Sequence, residues 1–153
     1  MAILSGDMKR VVAEQKLGFV ATVGADGMPN LSPKGTMMVL DDDHIMFGEI
    51  RSPATIANLA SNSGMEINFV DQFNRKGYRF RGTAKVVSRD AQEFAALFKR
   101  FAHFSAANRI RAVVVLHVER AVPLVSPAYD TGGIEHEIRR NWRDYFESIQ
   151  PKS

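Results

Sequence analysis

Arg51-Ser52-Pro53-Ala54-Thr55 sets a fixed cation beside what reads as the start of a helix. Ser52 stands in the cap position and Pro53 in the first helical position, with Ile56 and Leu59 as the buried face. A helix N-terminus carries free backbone N–H groups and partial positive charge, so a guanidinium there sets like beside like unless an anion lies between them. The Ser52 and Thr55 hydroxyls, the first-turn N–H groups and Arg51 make up a set that holds a phosphate. The plainer alternative is a capped helix with a solvated arginine.

A second cation lies upstream, in Leu31-Ser32-Pro33-Lys34-Gly35-Thr36-Met37. Pro33 and Gly35 are poor residues for a central strand and mark a bulge or a close approach of backbone or ligand. Lys34 between them is either a solvated edge lysine or a group that reaches a ligand over the bulge. Two hairpin-linked strands with a turn at Asp41 to Asp43 separate Lys34 from Arg51, and a strand out and a strand back returns both to one end of a sheet.

The elements that must position these groups follow from periodicity. Ser5 caps a helix to about Lys16. Three successive strands follow from Gly18, broken at Ala25-Asp26-Gly27 and at Asp41 to Asp43. The Arg51 segment opens a short helix, Ser52 to about Ser61, stopped by Asn62-Ser63-Gly64. "MEINFVD" and "GYRFRGTAKVVS" alternate as a hairpin around the loop from Gln72 to Lys76. Asp90 and Glu93 resemble a capping box for a helix from about Ala91 to Phe104, with Phe94, Leu97, Phe98 and Phe101 buried. "RAVVVLHVERAVPLV" is a long late strand, and a helix over residues 134–149 closes the chain with Ile134, Ile138, Trp142, Tyr145 and Ile149 on one face. Six strands joined largely by hairpins predict an α+β fold, a small antiparallel barrel with peripheral helices, as a single domain over 1–153.

Composition narrows the chemistry. The absence of cysteine excludes thiolate metal sites, iron–sulfur clusters, disulfides and thiol nucleophiles. Neither a signal peptide nor a membrane-spanning run is visible, which predicts a cytoplasmic protein with no membrane partner. A net charge of +3 with mixed signs does not point to nucleic acid. Lys76-Gly77-Tyr78-Arg79-Phe80 partly fits an RNA-recognition strand, but the element order is wrong for that module. Asp41-Asp42-Asp43-His44 reads as a solvated turn, and His103, His117 and His136 show no ligand spacing, so no metal is expected.

"GFVATVGADGMPNLSPKG", "DDDHIMFGEIRSPATIANL" and "GYRFRGTAKVV", in this order, resemble the FMN-binding split-barrel family that includes pyridoxamine 5'-phosphate oxidase. The resemblance covers roughly residues 10–127 and implies a six-stranded antiparallel split β-barrel, a homodimer, and one FMN per protomer at the interface. By position, Ser32, Pro33, Lys34, Gly35 and Thr36 would line the flavin or its ribityl chain. Glu49, Ile50, Arg51, Ser52 and Thr55 would hold the phosphate end. FMN-dependent redox chemistry is the activity implied, on a small-molecule substrate or with a redox partner that the residues do not specify. A non-catalytic flavin carrier and a haem-binding use of the same barrel are alternatives. Two departures stand out. Many members carry a lysine where this chain has Ala54, so either Arg51 or Lys34 compensates or flavin binding is weak. The oxidase's C-terminal arginine and tryptophan signature is not reproduced in "RRNWRDYFESIQPKS".

Overall fold

The computed structural model describes residues 2–153. Helix α1 (Gly6–Gln15) starts as expected, with Ser5 Oγ accepting the Met8 N–H at 3.2 Å. The strands are β1 (Gly18–Val23), β2 (Pro29–Lys34), β3 (Met37–Val39), β4 (His44–Glu49), β5 (Gly64–Asp71), β6 (Lys76–Ser88) and β7 (Ala112–Val125). Between them lie α2 (Pro53–Ser61) and α3 (Phe94–Phe98), and α4 (Glu135–Ser148) follows β7. All pairings are antiparallel, in the order β2-β1-β5-β6-β7-β4-β3. No helix among the described residues is long and apolar enough to cross a membrane.

The described sheet has seven strands, not the six expected, and the reason lies at Pro33 to Thr36. What the sequence presents as one bulged strand is two strands at opposite edges of the sheet. Laid flat, those edges would be about 29 Å apart at about 4.8 Å per strand spacing. The chain from Lys34 to Met37 spans at most about 10 Å. The sheet therefore curls into the split barrel. Its interior is filled by Val20, Ile45, Phe47, Ile67, Phe69, Phe80 and Leu116, all fully buried.

β4 is buried on both faces, which explains its unbroken apolar run. Ile45 and Phe47 join the barrel interior, while Met46 joins Val87, Phe94, Phe101, Ile110 and Val113 in a second cluster. The helix predicted from Ala91 to Phe104 is shorter than expected. α3 covers only Phe94–Phe98, and tighter 3₁₀ turns follow at Lys99–Phe101 and Ala107–Arg109. Its capping box does not form, because Asp90 accepts the Ser88 hydroxyl and Glu93 pairs with Lys85. Phe80 is buried and the Tyr78 hydroxyl donates to Asp7 at 2.6 Å, so neither ring of the RNA-like segment is free to stack on a base.

α4 buries none of its residues. It lies on the β5–β6 turn, with the Arg75 guanidinium 3.4 Å from the Trp142 ring centre, Phe146 edge-on to Phe73, and Arg139 2.9 Å from Asp71.

The long β6–β7 pairing requires glycine where the register shifts between Arg81 and Gly82. A Cβ on Gly82 would lie 1.8 Å from the His117 carbonyl oxygen, whereas one on Gly35 would meet nothing within 4 Å. Gly82→Ala is expected to lower the urea midpoint by the equivalent of about 3 kcal/mol, while Gly35→Ala should stay within about 0.5 kcal/mol of the parent.

Candidate functional site

The passage from β2 to β3 builds one wall of a cavity of about 500 Å³, lined by Pro33, Lys34, Gly35, Thr36, Gly48, Ile50, Arg51 and Arg109. This lies within the range of roughly 300–1,000 Å³ usual for small-molecule sites. The wall is fixed by Thr36, whose Oγ1 donates to the Gly48 carbonyl at 2.8 Å and accepts the Gly48 N–H at 3.1 Å. One hydroxyl thus clips the crossover to the end of β4. Pro33, on the edge strand β2, has no N–H to leave unpaired.

Lys34 is 9% exposed. Its Nζ donates to Ser32 Oγ at 2.6 Å and lies 5.8 Å from the Phe47 ring centre. Burial pushes its pKa below the ordinary lysine value, and the nearby Glu49 carboxylate opposes that shift. A buried ammonium with one neutral partner has donors to spare for an incoming acceptor. Arg51 and Arg109 are exposed and line the same cavity, and no acidic side chain lines it among the described residues.

The structure therefore brings together Lys34 and Arg51, as the strand directions suggest, and beside them Pro33, Gly35, Thr36 and Ile50 of the set that the resemblance implies. Ser32 contributes through its contact with Lys34. Glu49, Ser52 and Thr55 are not among the residues lining the cavity. Ser52 does not cap α2: its N–H and hydroxyl donate to the buried Glu49 carboxylate at 2.5 and 3.2 Å. The anion at the entry to α2 is thus the chain's own. Thr55 is fully buried, and its Oγ1 makes a long 3.5 Å contact with Asn30 Nδ2 on β2.

Arg109 and Gly48 are additions that sequence reasoning did not supply. Arg109 arrives because the chain entering β7 runs beside the end of β4, where the Arg111 N–H donates to the Glu49 carbonyl at 2.8 Å. No local signal announces that β4–β7 pairing.

The family model described as pyridoxamine 5'-phosphate oxidase matches residues 4–123. This chain belongs to that family. HupZ of Group A Streptococcus is 34% identical, with 80% of this chain and 94% of that one aligned and a TM-score of 0.68. A putative pyridoxamine 5'-phosphate oxidase from Lactobacillus delbrueckii is 25% identical over 80% of this chain and 95% of that one, with a TM-score of 0.67. An FMN-binding protein from Syntrophomonas wolfei, 16% identical over 81% and 87% of the two chains with a TM-score of 0.68, shares the fold. No curated protein matches the chain. The family match ends before α4, so the C-terminal helix is an addition to the matched region.

In this member of the oxidase family, Lys34 contributes to the pH dependence of stability. Its folded pKa is lowered, so the burial penalty is present while the ammonium is charged and fades as pH rises through the folded value. Lys34→Met is expected to raise stability at neutral pH by about 1 kcal/mol. That gain should shrink in alkaline urea titrations. An equal gain at all pH values would show that the ammonium carries no burial penalty.

Proposed function

We infer that the protein is an FMN-binding flavoprotein, and that it acts as an FMN-dependent oxidoreductase in the manner of its family. The observation that carries this reading is the convergence of Lys34, Arg51 and Arg109 on one cavity with no acidic side chain in its lining. The donor set fits the cofactor's two ends. Arg51 and Arg109 offer guanidinium forks suited to a phosphate. Lys34, buried beside them, offers a proton donor and positive charge to the ring system. FMN, when bound, supplies hydride or electron transfer, and the chain supplies position and electrostatics. Arg109 takes the part of the cation missing at Ala54. No histidine lines the cavity among the described residues, so a haem there would find no imidazole ligand. The substrate is not specified by the lining.

The cavity is open to solvent, and the face beside it is apolar. Leu31 is 67% exposed and Phe19 43%, and Pro33, the register partner of Phe19, belongs to both face and cavity. A homodimer formed on this face would cover the apolar strip and close the cofactor site together. Sedimentation should give twice the chain mass, and Leu31→Glu should give a monomer with weakened FMN binding. A parent protein that is monomeric with FMN bound removes the dimer from the proposal.

The phosphate assignment is tested by comparing FMN with riboflavin in fluorescence titrations. A charged hydrogen bond contributes about 1.5–3 kcal/mol, so Arg51→Ala and Arg109→Ala should each weaken FMN roughly ten- to a hundredfold. Riboflavin, lacking the phosphate, should bind each variant nearly as it binds the parent. Ala54→Lys in the Arg51→Ala background should restore part of the loss. Equal weakening of both ligands, or of neither, places the phosphate elsewhere.

A further inference from the structure

His44 and His117 lie outside the lining of the cofactor cavity and take no part in it. They are register partners across the antiparallel β4–β7 pair, so their side chains leave the same face of the sheet. Directly opposed Cβ atoms in such a pair are about 4.5–5.5 Å apart. The two ring centres are 5.0 Å apart, with planes tilted by 36°.

The turn before β4 supplies a carboxylate to this pair. Asp41 Oδ1 lies 2.8 Å from His44 Nδ1 and also accepts the Asp43 N–H at 2.8 Å. A proton on Nδ1 that donates to this carboxylate leaves the Nε2 lone pair free. A carboxylate behind an imidazole is the outer-sphere arrangement that orients a metal-binding histidine and raises its basicity.

Both rings line a second cavity, of about 460 Å³, with Leu40, Val87, Leu97 and Val115 among its apolar walls. Space beside the rings is therefore available to water or a small ligand. Among the described residues no group of three or more His, Cys, Asp or Glu side chains stands in metal-holding geometry. The protein thus offers two nitrogens and solvent must supply the rest. Such a site suits an ion that prizes imidazole and exchanges its remaining ligands. Cu²⁺ leads that order, ahead of Zn²⁺, whereas Ca²⁺ and Mg²⁺ require oxygen donors.

The geometry points to a two-imidazole site for a borderline divalent transition-metal ion, Cu²⁺ foremost, on His44 Nε2 and His117, with Asp41 as a positioning residue. The site is independent of the FMN reading.

The test uses the untagged full chain titrated with Cu²⁺, followed by calorimetry and electron paramagnetic resonance. One ion per chain is expected, with a spectrum showing two imidazole nitrogens. His44→Ala and His117→Ala should each lower affinity at least tenfold and leave one nitrogen in the spectrum. Asp41→Asn should weaken binding roughly tenfold while keeping the two-nitrogen signature, which a merely structural carboxylate would not do. His103→Ala and His136→Ala should change nothing. Undiminished Cu²⁺ binding by the His44→Ala/His117→Ala double variant, or absence of a two-nitrogen spectrum in the parent, overturns the proposal. Since His117 is exposed, its single variant carries the test if the His44 change impairs folding. FMN titrations of the same variants should match the parent, separating this outcome from that of the cofactor assignment.

Discussion

The structure depends on the passage of the chain from one edge of the sheet to the other between Lys34 and Met37. A closed or nearly closed barrel needs its edge strands to meet, and here a covalent link, rather than a full ladder of hydrogen bonds, enforces it. The link is too short to allow any flat arrangement. Thr36 completes it by taking both polar groups of Gly48. The same few residues that close the barrel therefore stand at the mouth of the cavity. The backbone wall that Thr36 clips to Gly48 is already in place when a ligand arrives, which lowers the entropic penalty of binding.

Charge of one sign gathers at this place. Lys34 is buried with one hydroxyl partner, and Arg51 and Arg109 add further positive charge. Glu49 is the nearby acid, and its carboxylate is turned to the Ser52 N–H and hydroxyl. This arrangement satisfies the entry to α2 internally and leaves the three cations without an acidic partner in the cavity lining. Strain of this kind concentrates at functional sites, where stability of the free protein is given up for affinity.

What could be read in the sequence was what local chemistry controls. The turns at Asp26-Gly27 and Asp41 to Asp43, the Ser5 cap and the alternation in "MEINFVD" each depend on near neighbours, and the structure follows them. Pro33 and Gly35 announce an interruption, but nothing local says that the chain changes edges there. The aromatic spacing from Phe94 to Phe101 fits an α-helix, yet the backbone tightens after Phe98 while the rings still reach the second cluster. Lys34 and Arg51 could be brought together from strand directions alone. Arg109 and the facing pair His44 and His117 could not, because all three depend on β4 lying beside β7, a pairing of segments more than sixty residues apart.

α4 lies beyond the family match, buries no residue, and rests on the β5–β6 turn through the Arg75–Trp142 stack, the Phe73–Phe146 contact and ion pairs such as Arg139 with Asp71. Asp71 is itself buried, so its pair with Arg139 is shielded from solvent, while the helix contributes no buried residue of its own. No strand pairing runs through the helix, so its local opening need not disturb the sheet. Exchange of its amides ahead of those of β6, and cleavage in the Ser126 to Gly133 connection while the barrel stays folded, are the expected marks of such an opening.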